Sequence, residues 1–221
     1  MKSLVLKSLN LGLCLGLVLS GIAPVLAEDD RRWDAGIRLN VIGGSGKPTN
    51  DVLGYGVVGR YRLDDHWTVG FGVDISDEFD IERTPSLVGL VQDPDAPVID
   101  SKGSSEGVNA WVERRYGADD RRLQWFWTAG AGVNSVDVED QVGPLAGGGS
   151  FDIEIDASTE WVASASVGLR VRLGERFLFE PALRFDQHFA DWEVTDRVSG
   201  ATASIDDYLL KGVHLAFAYR F

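Results

Sequence analysis

Asp186 and His188 stand two residues apart in the run Phe185-Asp186-Gln187-His188, a spacing that puts both side chains on one face of an extended strand. A carboxylate that orients an imidazole can activate water, which makes this pair the sharpest catalytic candidate in the chain. The plainer reading is a charge pair within a polar face. His66 sits in a polar turn and reads as solvated, and His214 is followed two residues on by Ala216. A second candidate is the stretch 137–156, where Asp137, Glu139, Asp140, Asp152, Glu154 and Asp156 occur without one Lys or Arg. Carboxylates are hard ligands suited to calcium or magnesium, yet their spacing fits no EF-hand, and an extended solvated hairpin explains them more simply. A third is 84–98, with Leu87, Val88, Leu90 and Val91, a long loop that could also fold as a lid or hold an apolar ligand. No catalytic residue, metal ligand or cofactor is assigned.

The elements that position these residues are strands. Apolar residues recur with a period of two in eight segments, beginning at Trp33, Leu53, Trp67, Val108, Leu123, Trp161, Phe177 and Tyr208, and no sustained helical spacing competes with them. Short polar turns at 64–66, 117–122 and 174–176 follow the second, fourth and sixth segments, whereas long Gly- and acid-rich loops follow the first, third, fifth and seventh. Short turns at one end and long loops at the other are the pattern of a barrel crossing a membrane. The expected fold is all-β, an eight-stranded antiparallel up-and-down transmembrane β-barrel.

Lipid contact makes a demand that the sequence meets, because Arg or Lys at the bilayer midplane costs about 2–4 kcal/mol. Faces such as Ile37/Leu39/Val41, Val69/Phe71/Val73 and Val167/Leu169/Val171 carry no charge, and only Arg114 in the fourth segment breaks the rule. Arg114 lies near a short turn, from which it can snorkel to the interface. Aromatic residues fall at both ends, with Trp33, Tyr61, Trp67, Tyr116, Trp125, Phe177, Tyr219 and Phe221 at the turns. Tyr55, Trp161, Phe189, Trp192 and Tyr208 fall near the loops.

The opposite faces carry Arg38, Arg60, Arg62, Arg115, Arg170, Arg172, Arg184 and Arg220 against Asp34, Asp74, Glu113, Glu160, Glu180 and Asp186. Unpaired buried ions cost several kcal/mol, so this near-balance predicts a paired lumen network with some internal water. Eight strands enclose a lumen that side chains about fill, so an open pore is not expected.

Residues 1–27 have Lys2 and Lys7, an apolar centre and small residues Val25 and Ala27 before a cleavage point, the pattern of a secretory signal; 28–221 then form the barrel. Cys14, the lone cysteine, falls inside that signal, so no disulfide is available afterwards. Removing Lys2 and Lys7 from 21 bases leaves 19 against 34 acids, a formal charge of −15, which argues against nucleic acid as a partner.

The signal, the eight alternating segments and the ending Leu215/Phe217/Tyr219/Phe221 resemble the small eight-stranded outer-membrane β-barrel proteins of Gram-negative bacteria, the OmpA-like, OmpX-like and OmpW-like group. That resemblance implies residence in the cell outer membrane as a monomer. Its partners would be membrane lipid, lipopolysaccharide and, through the aromatic ending, the barrel-assembly machinery. Because the sequence stops with the eighth strand, a peptidoglycan-binding domain is not expected. The implied role is non-enzymatic, structural in the envelope or interacting at the surface through acidic loops. One alternative is an OmpW-like conduit for small hydrophobic molecules. Another is a hydrolase using Asp186 and His188, a pair similar to the Asp-x-His half of omptin proteases, for whose second acidic pair Asp206 and Asp207 are a loose match. Lipid A deacylases place Ser two residues after His, where this chain has Ala190 and Ala216.

Overall fold

The computed structural model describes residues 32–43, 52–81, 101–117, 121–144 and 149–221. The signal segment 1–27 and the apolar stretch 84–98 lie outside the described residues. The chain forms β1 (Trp33–Gly43), β2 (Val52–Arg62), β3 (Trp67–Ile81), β4 (Ser101–Tyr116), β5 (Leu123–Val138), β6 (Gln141–Pro144) and β7 (Ser150–Asp156). It continues through β8 (Thr159–Leu173), β9 (Phe177–Phe189), β10 (Trp192–Asp196), β11 (Thr202–Ile205) and β12 (Tyr208–Arg220). Eight of these strands close a barrel in the order β1-β12-β9-β8-β5-β4-β3-β2, each pair antiparallel.

Closure is made by β1 on β12, with Asp34 opposite Arg220 and Leu39 opposite Leu215, and the Phe221 N–H donates to the Trp33 carbonyl at 3.0 Å. A closed ladder leaves no strand edge, as a backbone surrounded by hydrocarbon requires. The tight turns use local devices. Gly117 and Gly174 adopt φ of 113° and 90°, which side chains resist, and Asp64 Oδ1 accepts the backbone N–H groups of His66 and Trp67 at 2.7 and 2.8 Å.

The outward faces are apolar as expected, and large side chains stand unpacked along them, Leu53 at 62 % and Trp161 at 66 % exposure among them. A continuous exposed apolar surface around a closed cylinder is a lipid-facing band. One gap in the pairing among the described residues has a plain cause. Pro181 has no N–H to give, and the β8–β9 ladder is interrupted between Gly168/Ala182 and Val171/Phe179.

Four strands that the periodicity reading left in loops form a separate sheet, ordered β11-β10-β7-β6. Two loop-end aromatics are corrected by it. Trp192 and Tyr208 are 1 % and 9 % exposed and point inward against this sheet, so the loop-end girdle among the described residues is Tyr55, Trp161 and Phe189. The reason is parity. Tyr208 shares the inward face of β12 with Leu210 and His214, and Trp192 shares the buried face of β10 with Val194. A bulge does the same for β3, where the register steps from Ser76 opposite Ser105 to Phe79 opposite Gly103. The extra residue turns Phe79 inward over a glycine that leaves space for its ring.

Candidate functional site

Inside the barrel the charged side chains stack in layers. Nearest the turns, Arg220 Nε donates to Asp34 Oδ1 at 3.1 Å. Above it Glu180 accepts both Arg60 and Arg170, and Arg170 reaches on to Glu113 at 2.7 Å, with Arg115 3.7 Å from the same carboxylate. The next layer centres on Asp74, which accepts Arg38, Asn40 at 3.1 Å, Asn109 at 2.7 Å and Arg184 at 3.5 Å. Arg38 also lies 5.3 Å from the ring of Trp111, which fills the space opposite Gly70. Thus the predicted lumen residues Asp34, Arg38, Arg60, Asp74, Arg170, Glu180, Arg184, Asp186 and Arg220 do meet, and Arg62 and Arg172 stand half-buried near the turns.

The catalytic candidate does not assemble. Asp186 bonds Arg184 Nε at 2.9 Å, whereas His188 Nδ1 lies 2.6 Å from Glu160 Oε1. Glu160 also accepts Tyr208 OH at 3.0 Å and Asn134 at 3.1 Å, and the His188 ring stacks on Tyr208 at 4.6 Å. Asp206 and Asp207, the proposed second acidic pair, are exposed. These contacts make Glu160, His188 and Tyr208 one buried cluster in the upper lumen.

Two cavities of about 40 and 90 Å³ lie in the lumen, sharing Asn109, Ser164 and Arg184 as their common wall. Both have room for water, and their charged walls offer it partners.

The mouth is shut by the additional sheet. Phe151, Ile153 and Ile155 of β7, Trp192 and Val194 of β10 and Ile205 of β11 pack onto Ile42, Val52, Phe79, Val136, Val138 and Leu210 of the barrel. Ile153 and Val194 are fully buried. Each such side chain contributes about 1.5–3 kcal/mol of burial, enough to hold the sheet as a lid. Its outer face carries Asp152, Glu154, Asp156 and Glu193, and Arg197 bridges Asp140 at 3.1 Å, Asp152 at 3.4 Å and Glu154 at 2.7 Å. Hydrogen bonding from Arg197 holds the Glu154 carboxyl below its ordinary range. Asp196 is also held low: burial opposes its charge, but bonds from Ser199 and the Val198 and Asp152 N–H groups outweigh that opposition. The acid-rich hairpin is therefore cross-linked by an arginine from the next loop. Among the described residues no cluster of three His, Cys, Asp or Glu side chains could hold a metal ion.

One structural relative is the outer membrane protein OprG from Pseudomonas aeruginosa, with a TM-score of 0.55 at 11 % identity over 86 % of this chain and 94 % of that one. The fold is that of a small outer-membrane β-barrel. A major outer membrane protein from Thermus thermophilus is similar to this outer-membrane barrel at a TM-score of 0.54 and 14 % identity, over 86 % of this chain and 99 % of that chain. No protein-family model and no curated protein matches the sequence.

The lid was open to detection, since Ser150–Asp156 alternates like the barrel strands and inward positions turn apolar toward the loops. Apolar residues on an inward face imply something that covers them. The arginine clamp had no comparable signal, because Arg197 is 43 residues from Glu154.

Proposed function

We propose that this outer-membrane barrel is a non-enzymatic, non-conducting platform that presents its acidic lid to a cationic partner at the cell surface. The single observation behind this reading is the lid: its apolar face is spent on sealing the mouth, which leaves Asp152, Asp156, Glu193 and their neighbours as the outward surface. Surface carboxylates attract cations over about a Debye length, near 8 Å at physiological salt. The hydrophobic-conduit alternative has the mouth occupied by Trp192 and Ile153, and its loop residues Leu87, Val88, Leu90 and Val91 lie outside the described residues. The hydrolase alternative loses its dyad to Arg184 and Glu160.

Leu215, Phe217, Tyr219 and Phe221 keep the role of an assembly signature in this proposal. They lie on the outward face of β12 and its end, with Tyr219 packed between Phe177 at 5.3 Å and Phe221 at 5.2 Å. Monomeric insertion among outer-membrane lipid and lipopolysaccharide belongs to the same proposal. The deciding experiment measures binding of an oligolysine peptide to the barrel in phosphatidylcholine vesicles. D152N/D156N/E193Q should weaken binding by about tenfold, with reduced salt dependence. Undiminished binding by that variant would remove the lid from the role.

A further inference from the structure

We propose that the turn end of the β4–β5–β8 wall holds an anionic phospholipid of the periplasmic leaflet, its phosphate on Arg114 and Arg121 and one acyl chain in the groove beside Tyr116. The proposal starts from Arg114, which points outward on β4 and is exposed, on a surface otherwise made for hydrocarbon. Its described contacts are two aromatic faces, with the guanidinium 5.3 Å from the Trp67 ring and 5.4 Å from the Tyr116 ring. Such stacking orients a guanidinium without neutralising it, and leaves its N–H edge for an acceptor. Tyr116 is itself fixed, stacked on Trp125 at 4.9 Å and accepting Trp127 Nε1 at 3.1 Å.

The second observation is independent of Arg114. A groove of about 290 Å³ begins at Tyr116, with Leu123, Trp125 and Leu169 on its membrane side and Arg121 at its polar end. Leu123 and Trp125 are 55 % and 51 % exposed, so the groove opens to the bilayer. A chain lying in it would leave its headgroup at Arg121, and the Arg114 guanidinium reaches the same groove only by way of the Tyr116 ring that walls it. Charge complementarity favours an anionic headgroup, because among the described residues no acid occupies the outward faces of β4, β5 or β8 near the turns, and the exposed Asp64, Asp65 and Glu175 belong to the turns themselves. Basic residues at a membrane surface each favour anionic lipid by about 1 kcal/mol, or roughly fivefold. Asp119 and Asp120, in the same turn as Arg121, lie outside the described residues.

Snorkelling of Arg114 to water would be indifferent to lipid charge, and that difference is measurable. Native mass spectrometry of the detergent-solubilised barrel, titrated with palmitoyl-oleoyl phosphatidylglycerol or the phosphatidylcholine of the same chains, should show about 25-fold preferential retention of the former. R114Q/R121Q should retain both lipids equally, while R114K/R121K keeps part of the preference. Heat-modifiable migration should show all variants folded. Equal retention by the wild type, as pairing of the arginines with Asp119 or Asp120 would give, overturns the proposal. So does an unchanged preference in R114Q/R121Q, or displacement of the lipid by inorganic phosphate.

Discussion

Glu180 has both of its oxygens committed, one to Arg60 and one to Arg170, in a lumen where all three side chains are at most 3 % exposed. Removing its charge leaves Arg60 and Arg170 to share Glu113 with Arg115. E180Q should therefore lose about 3–5 kcal/mol, read from urea unfolding of the barrel in lipid vesicles, since breaking a buried pair strands a charge. That inward position was legible from alternation alone, but the partners were not, because Arg60 comes from a strand 120 residues away. The pair Asp186/His188 shows the same limit. Both do face inward, yet the long arm of Arg184 spans the two-residue spacing to Asp186, while the shorter imidazole turns across to Glu160 on β8. D186N should accordingly leave the ring nitrogen shifts of His188 in place, and a shift like that of losing a carboxylate partner would restore the dyad.

Among the elements, the lid sheet has a definite acid limit. Glu154 titrates below its ordinary value of 4.5 because Arg197 binds its charged form. A depressed folded value means that this contribution to the lid is complete above pH 4.5 and is lost as pH falls toward the lowered value. Protease cleavage between β6 and β7, or Trp192 fluorescence, should thus stay constant from neutral pH to about 5 and change below the unfolded carboxylate range, whereas R197E should show the change already at neutral pH. The core of the lid makes a separate prediction. The Trp192 indole N–H is buried without an acceptor among the described residues, so W192F should be much milder than W192A, which costs about 3–5 kcal/mol through the cavity it leaves.

At the scale of the whole molecule, two unlike barriers lie in series, an apolar seal at the mouth and salt-bridged layers below it. Opening one leaves the other, so planar-bilayer recordings should show no step conductance for the wild type and none for W192A. A stable conductance in either would show that the charged layers around Asp74 and Glu180 part readily. The barrel itself was present in the alternation, because lipid outside and ions inside impose opposite chemistry on neighbouring residues, and no distant contact is needed to satisfy that rule. Arg114 and the inward charges were readable for the same reason. Tertiary structure alone decided that Arg197 clamps the acidic hairpin and that His188 belongs to Glu160. Each of those depends on which segments closure brings together across the mouth or the lumen, and the period-two pattern of a single strand is the same whatever stands opposite it.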